Sequence, residues 1–270
     1  MLARTSPPLV TPPRLERFPG HEYPQVIPDP DEVRPGGAAP WASLTAESRR
    51  SVSVSTVVTQ LVERGRSLES GLPELSEELK ILSRDPDFTI RPSAVLVALL
   101  DVQGEAHVVL TRRSLSLRHH RGEIALPGGR RDGDEDAVAT ALREANEEIG
   151  LDPSLVSPVA LLSPIASIVS NSAIWPVVGT VEGRPRFQAQ PGEVDRVFSV
   201  ALADLLGDDV FVEERWRRSS PRPGSDDDGF FPIYFFRVPG DLIWGATARV
   251  LVELLAIATG VAGEDDGGLR

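Results

Sequence analysis

The order of hydrophobic and polar residues along the chain predicts both strands and helices. A continuous apolar run over residues 93–101 predicts a buried strand, and residues 106–111 form a second strand after the turn signal Gln103-Gly104-Glu105. Residues 135–149 repeat apolar side chains at helical spacing and form the clearest predicted helix. A longer apolar stretch, residues 243–259, predicts another helix.

Shorter elements fill the rest of the C-terminal part of the chain. The pattern there predicts several strands and one short helix: strands at residues 157–162, 174–181, 196–200, 210–216 and 232–237, and a helix at residues 202–206. Because strands and helices are interspersed, the sequence predicts one α/β domain over residues 88–260.

The residues on either side of this domain have a different composition. Ten prolines among the first 40 residues exclude a persistent helix or ladder, so residues 1–42 are predicted to form an irregular arm. Residues 43–87 are predicted to be a helical extension, with helices at residues 43–64 and 72–82. An alternation of Val, Ser and Thr inside the first of these helices also fits a strand. Residues 261–270 are predicted to be a flexible tail.

Composition narrows the class of protein. The 270-residue chain has a net charge of −12 and no cysteine, which excludes disulfides, thiolate zinc sites and cysteine nucleophiles. The acidic balance argues against broad nucleic-acid binding. No apolar run approaches the roughly 18 residues of a membrane span, and the first residues lack the apolar segment of a signal peptide. We therefore expect a cytoplasmic protein that acts on a small molecule and binds neither nucleic acid nor a membrane.

Three glutamates crowd onto one stripe of the predicted helix over residues 135–149. Glu144, Glu147 and Glu148 lie at positions i, i+3 and i+4, and each exposed like-charge pair costs roughly 0.2–0.5 kcal/mol. A solvated acidic face would tolerate that cost, whereas a hard divalent cation would remove it by taking carboxylate oxygens as ligands. The neighbouring stripe is apolar and should pack on the sheet: Val138, Leu142, Ala145 and Ile149.

The wider spacing around these glutamates resembles the Nudix box, Gly-x5-Glu-x7-Arg-Glu-U-x-Glu-Glu-x-Gly-U, where U is aliphatic or small. Every fixed position is met: Gly129, Glu135, Arg143, Glu144, Ala145, Glu147, Glu148, Gly150 and Leu151. The resemblance extends over about residues 90–258 and implies an α/β fold, a Nudix-type α/β/α sandwich with a mixed β-sheet. It also implies a metal-dependent hydrolase that acts on a diphosphate joined to another group.

The same resemblance implies roles for the box residues. It gives a set of ligands for Mg²⁺ or Mn²⁺: Glu144, Glu147, Glu148 and the Gly129 carbonyl. Arg143 would orient the glutamates, Glu135 would stabilise the loop–helix arrangement, and Gly150 would end the helix. Either Glu144 or the loop residue Glu193 would activate the attacking water. We favour Glu144, because helical spacing ties it to the metal ligands.

A local excess of arginine precedes the box in an otherwise acidic chain. Residues 110–132 contain six arginines and two acids: Arg112, Arg113, Arg118, Arg121, Arg130 and Arg131, with Glu123 and Asp132. Arginine forks suit phosphate groups, so this segment predicts a phosphate-binding cradle. A solvated basic loop is the alternative interpretation.

This segment also resembles the signature of coenzyme A pyrophosphatases within the Nudix family, Leu-Leu-Thr-x-Arg-Ser/Ala-x3-Arg-x3-Gly-x3-Phe-Pro-Gly-Gly. It departs at two positions, where Val109 replaces the first leucine and Leu126 replaces the phenylalanine. The resemblance implies hydrolysis of coenzyme A or acyl-coenzyme A to 3′,5′-ADP and 4′-phosphopantetheine or its acyl form. It implies four candidate substrate-binding residues: Arg113, Arg118, His120 and Arg121.

Two other functions stay open at this point. Another nucleoside diphosphate derivative, such as ADP-ribose, a dinucleotide or an oxidised nucleotide, would use the same box. A ligand sensor with the Nudix fold and no turnover belongs to a different class, and the intact glutamate cluster argues against it. The family resemblance also allows a homodimer, although nothing in the sequence marks an interface.

Overall fold

The computed structural model describes residues 25–68, 91–167, 172–218, 225–226 and 228–261. The strands of this part are, in chain order, β1 Glu32–Pro35, β2 Arg91–Val102, β3 Glu105–Arg113, β4 Ile124–Ala125, β5 Gly128–Arg130, β6 Val156–Leu161, β7 Ile165–Ser167, β8 Ser172–Val181, β9 Val194–Ala201, β10 Phe211–Arg217, β11 Phe231–Val238 and β12 Asp241–Trp244. The α-helices are α1 Ala46–Arg50, α2 Val54–Arg64, α3 Ala137–Ile149, α4 Leu202–Leu205 and α5 Gly245–Ala258. No helix among these residues is long and apolar enough to cross a membrane.

The larger sheet is mixed and lies between helices. Its strands run in the order β4-β3-β2-β8-β6, with β5 paired to β2, β7 to β8 and β9 to β3. Strands β2 and β8 are parallel, and the other pairs are antiparallel. Helix α3 packs on one face of this sheet, and α2 and α5 pack on the other. The predicted α/β/α sandwich with a mixed sheet is therefore confirmed.

The central strand β2 explains the continuous apolar run in the sequence. Alternate residues of β2 enter opposite cores: Leu96 and Ala98 pack under α3, whereas Val97 and Leu99 pack under α2 and α5. Because both faces of the strand are covered, both sets of side chains must be apolar. The predicted hairpin from β2 to β3 is confirmed, and its turn places Gln103 and Gly104 at positive φ.

Helix α3 is present where it was predicted, but it begins two residues later and a different face of it packs on the sheet. It begins at Ala137 because the Asp136 side chain caps it by accepting from the amide of Ala139 at 2.7 Å. It ends at Gly150, whose φ of 66° is the left-handed conformation that glycine favours. The predicted apolar stripe is partly wrong, because the wholly buried residues are Ala137, Thr140, Ala141, Ala145, Glu148 and Ile149. Val138 and Leu142 are only partly buried at the edge of this contact.

The second helix prediction, over residues 243–259, is wrong at its N-terminal end. Ile243 and Trp244 belong to β12, where they pair with β11, and the helix begins at Gly245. Gly245 has a φ of 63°, so the chain changes direction there before the helix starts. The short strands β4, β5 and β7 were also not predicted, since two or three residues are too few to establish a strand pattern.

The N-terminal residues contribute to the folded core. The prediction of an irregular arm is wrong over Glu32–Pro35, which pairs with β10 in a four-stranded antiparallel sheet of order β1-β10-β11-β12. Pro35 lies at the last position of this edge strand, where a missing N–H is tolerated. Trp41 is 1% exposed and lies in the same core as α5. The predicted helix over residues 72–82 and the tail beyond residue 261 lie outside the described residues.

The predicted helix over residues 43–64 is present as two helices, α1 and α2, separated by residues 51–53. Val52 interrupts them because its side chain is buried and its carbonyl accepts from the amide of Ala106 at 2.9 Å. The division of the chain into arm, extension, domain and tail stays a prediction.

Candidate functional site

Two glycines allow helix α3 to lie directly on strand β5. Gly128 and Gly129 pair with Val95 and Ala94 of β2, which places β5 beneath the helix. A Cβ on Gly129 would collide with the carboxylate of Glu144, and one on Gly128 would collide with the β2 backbone. The glycines therefore set the close approach of the Glu144 carboxylate to the chain at Gly129.

Arg143 connects the acidic residues of the helix with the loop before it. Its guanidinium donates to both carboxylate oxygens of Glu135 at 2.8 and 3.1 Å, and to Glu144 and Glu147 at 3.0 and 3.1 Å. It also donates to the backbone carbonyl of Arg130 at 2.8 Å. Hydrogen bonding to Arg143 is the main reason that the pKa of Glu135 falls to about 2. The arginine thus offsets much of the repulsion that the sequence predicted.

Glu148 is the buried member of the cluster. Glu148 is only 5% exposed, and its Oε2 accepts a hydrogen bond from the amide of Gly128 at 3.0 Å. Arg113 Nη1 lies 3.7 Å from the other carboxylate oxygen. Burial raises the pKa of Glu148 to about 7, and the charges of Glu144 and Glu193 add to this effect. A buried carboxylate with one distant cationic neighbour is electrostatically undercompensated.

Glu144 and Glu193 belong to the same electrostatic site. Glu144 is partly buried, and desolvation is the largest cause of its raised pKa, with the charges of Glu147 and Glu193 as further contributions. Glu193 is exposed on the loop before β9, and its backbone carbonyl accepts from the amide of Ser114 at 2.8 Å. The structure therefore brings Glu193 from distant sequence to the glutamate cluster.

The glutamates do not form a ready metal cage. Within the described ranges, no three His, Asp or Glu side chains are arranged to hold a metal ion. Glu147 is 58% exposed and turned to Arg143, and Glu148 is turned to the β5 backbone. The donors nevertheless fit a hard divalent cation, because carboxylate oxygens crowd against Gly129 and the pKa values of Glu144 and Glu148 are raised. A nearby cation would favour the ionised form of both.

Residues 114–123, which we call the arginine loop, follow Arg113 and are hydrogen bonded to the segment that carries Glu193. The loop is closed at its base, where Arg113 and Glu123 form a backbone hydrogen bond of 2.9 Å. His120 has a φ of 55°, and its Nδ1 lies 3.0 Å from a carboxylate oxygen of Glu123, which raises the pKa of His120. Arg118 and Arg121 are exposed, and their side chains contact no partner within the described part of the chain. These two arginines are free to meet an anion.

The predicted phosphate cradle does not include Arg112. Its guanidinium donates to Asp241, at 3.0 Å from Nε, and Arg196 donates to the other carboxylate oxygen. Asp241 is 1% exposed and lies in β12, so this ion network joins the two sheets. Sequence reasoning missed Asp241, because its partners lie 129 and 45 residues away in the chain. Only the topology brings them together.

Comparisons with known proteins agree with the geometry. A sequence model of the NUDIX domain matches residues 90–220. The chain is 38% identical over 189 residues to Nudix hydrolase 15, mitochondrial, of Arabidopsis thaliana, covering 67% of this chain and 64% of that protein. It is 39% identical over 174 residues to the uncharacterized Nudix hydrolase NudL of Escherichia coli strain K12, covering 63% of this chain and 84% of that protein.

The chain covers different shares of the lengths of these relatives. The chain spans 64% of the length of the first plant relative and 56% of a second, Nudix hydrolase 22, chloroplastic, which is 37% identical. Among solved structures, a MutT/nudix family protein from Enterococcus faecalis is similar over 72% of this chain and 70% of that chain. Its sequence identity is 16% and the TM-score is 0.41.

Proposed function

The chain belongs to the Nudix hydrolase family, and from that premise we propose that it hydrolyses the diphosphate bond of coenzyme A or acyl-coenzyme A. The products would be 3′,5′-ADP and 4′-phosphopantetheine or its acyl form. Membership of the family supports action on a diphosphate substrate. The choice of coenzyme A as that substrate depends on the arginine loop.

Nudix hydrolases generally use divalent metal ions, and we propose Mg²⁺ or Mn²⁺ here. The proposed ligands are oxygen donors of one cluster: Glu144, Glu147, Glu148 and the Gly129 carbonyl. When bound, the cation would neutralise phosphate oxygens and lower the pKa of a water molecule. The hard oxygen donors and the raised pKa values of two of them support this assignment.

The chain's own residues would orient the reacting groups. Arg143 holds Glu144 and Glu147 in place through charge-assisted hydrogen bonds and keeps Glu135 ionised. Arg113 lies near Glu148, and its buried Nε has no hydrogen-bond partner among the described residues, so we assign this guanidinium to the scissile diphosphate. Glu144 remains our choice for the base that takes the proton of the attacking water, because helical spacing ties it to the other proposed metal ligands. Glu193 is the alternative base.

The exposed arginines of the arginine loop are the observation that favours coenzyme A as the substrate. Arg118 and Arg121 are exposed and unpaired among the described residues, and their loop follows Arg113, which we assign to the diphosphate. Two further cations suit a substrate with a phosphate group beyond the scissile pair. Coenzyme A carries such a group on its 3′ oxygen, whereas dephospho-coenzyme A and ADP-ribose do not. His120 would act by shaping the loop through Glu123.

The test compares substrates that differ by that phosphate. Coenzyme A, dephospho-coenzyme A, ADP-ribose and NADH are assayed with Mg²⁺ and with Mn²⁺, for the wild type, Arg118→Ala and Arg121→Ala. Losing a charge-assisted hydrogen bond should lower kcat/KM for coenzyme A by about 10- to 100-fold and leave dephospho-coenzyme A within about threefold. Arg50→Ala is the matched control, because it removes an exposed arginine on α1.

Other results of these assays would favour a different substrate or a different function. An equal loss on coenzyme A and dephospho-coenzyme A would assign these arginines to the diphosphate or to the fold. Turnover of ADP-ribose without turnover of coenzyme A would reject the proposed substrate and keep the family reaction. Saturable binding without turnover of any compound would favour the sensor.

A further inference from the structure

Hydrogen bonds attach the arginine loop to the segment that carries Glu193. The amide of Ser114 donates to the Glu193 carbonyl at 2.8 Å, and the Ser116 hydroxyl donates to the Gly192 carbonyl at 3.4 Å. The amide of Leu115 donates to a carboxylate oxygen of Asp195 at 3.1 Å. Of these three acceptors, Glu193 and Gly192 use their backbone carbonyls, whereas Asp195 uses its side-chain carboxylate.

A β-bulge gives Asp195 its position. Along the pairing of β3 with β9, Arg112 is opposite Arg196 and Arg113 is opposite Val194, so Asp195 is the extra residue on β9. Val194 is buried and fixes the strand immediately before the bulge. A bulge re-aims the side chain of its extra residue. Here that residue comes two positions after Glu193 and reaches the neighbouring loop.

This half of the loop also forms a local turn, in which the amides of Ser116 and Leu117 donate to the hydroxyl and the carbonyl of Ser114 at 3.3 Å, but those bonds do not join it to the rest of the fold. The Leu115 side chain is 50% exposed, so apolar burial contributes little there. The far half is closed by the Arg113–Glu123 backbone bond and the His120–Glu123 contact. The position of the residues that lead to Arg118 therefore depends on the hydrogen bonds to the Glu193 segment.

We propose that Asp195 is a positioning residue that fixes the arginine loop, and with it Arg118 and Arg121, against the Glu193 segment. The substrate part of this inference rests on the proposed function, in which these arginines bind a phosphate group. The structural part, that the Asp195 acceptor restrains the loop, does not.

The charge of Asp195 and its position predict effects of opposite sign on substrate binding. Removing a carboxylate close to cationic side chains would by itself strengthen the binding of an anionic substrate. Releasing the loop would weaken that binding, because the arginines would have to be ordered again in each complex. Asp195→Ala removes both the charge and the acceptor, whereas Asp195→Asn removes the charge and keeps an acceptor oxygen.

The kinetic experiment measures kcat and KM for coenzyme A with Mg²⁺. Asp195→Ala should raise KM by about tenfold with kcat within about twofold of the wild type, and Asp195→Asn should keep KM within about threefold or lower it. Glu182→Ala, which removes an exposed carboxylate after β8, should change neither constant. A lower KM in Asp195→Ala, or an equal rise in both Asp195 variants, would overturn the positioning role.

Limited proteolysis with trypsin tests the same contact without any substrate. Cleavage after Arg118 and Arg121, identified by mass spectrometry of the intact folded protein, should be about fivefold faster in Asp195→Ala than in the wild type and in Asp195→Asn. Equal cleavage rates would overturn the inference even if coenzyme A is hydrolysed. If coenzyme A is not hydrolysed, faster cleavage in the alanine variant alone still supports the restraint, so the two failures are distinguishable.

Discussion

Replacing Glu148 by glutamine should stabilise the metal-free protein above neutral pH. The carboxylate is 5% exposed, and burial raises its pKa to about 7 from the usual 4.5. The amide of glutamine keeps the shape and an oxygen that accepts from Gly128, but it carries no charge. The substitution therefore isolates the cost of ionising this one group inside the fold.

The magnitude follows from the difference between the folded and unfolded pKa values. Between pH 4.5 and about 7, the folded protein holds a proton on Glu148 that the unfolded chain has lost, so stability falls as the pH rises through this window. Above pH 7 the whole cost is present, and a difference of this size is worth about 3 kcal/mol. For a chain of this length that corresponds to about 5–10 °C in Tm.

Thermal unfolding in EDTA at pH 4, 5, 6, 7 and 8, followed by circular dichroism, measures this difference. The Tm of Glu148→Gln should equal that of the wild type near pH 4 and exceed it by the full amount at pH 8. Glu147→Gln is the matched control, because it makes the same change of carboxylate to amide at an exposed position of the same helix. If the difference in Tm between Glu148→Gln and the wild type were the same at every pH, the loss of stability would not come from ionisation of Glu148.

Two further substitutions test the catalytic and structural charges. Glu147→Gln should lower kcat by at least about 10²-fold while circular dichroism shows a folded protein, since it removes a proposed metal ligand; near-normal turnover would remove Glu147 from the site. Asp241→Ala should lower the free energy of unfolding in urea by about 1.5–3 kcal/mol, because it removes the charge-assisted hydrogen bonds of Arg112 and Arg196, whose side chains are 23% and 44% exposed. A loss below about 1 kcal/mol would mean that the network is solvated.

The sequence predicted those elements that repeat a strong local pattern. The apolar run of β2 and the helical spacing of α3 each persist over seven or more residues, and both elements are present. Strand β5 has only three residues, two of them glycine, so it carries no side-chain pattern even though it lies beneath the glutamates. The pairing of Glu32–Pro35 with β10 joins segments about 180 residues apart, which no local pattern encodes.

The sequence predicted which residues form the candidate site better than it predicted how they are arranged. The spacing of Arg143 and Glu147 anticipates their contact, because i and i+4 neighbours on a helix are within reach. The contact of Arg143 with the adjacent Glu144 does not follow from helical spacing. The rotation of α3 was not anticipated, and it buries Glu148 while Glu147 stays exposed. That difference depends on where the small alanines allow the helix to approach the sheet.

The alternation of side chains along β3 decides which arginines are available to a ligand. Arg112 lies on the face of Val108 and Leu110 and meets Asp241, whereas Arg113 lies on the face of Val109 and meets Glu148. Two adjacent arginines of the same motif thus have unrelated tasks, one joining the sheets and one approaching the reaction centre. Counting arginines in the segment overstates the charge offered to a substrate. The loop beyond β3 has no such alternation, and its Arg118 and Arg121 are exposed, so we assign these two side chains to a phosphate outside the scissile diphosphate.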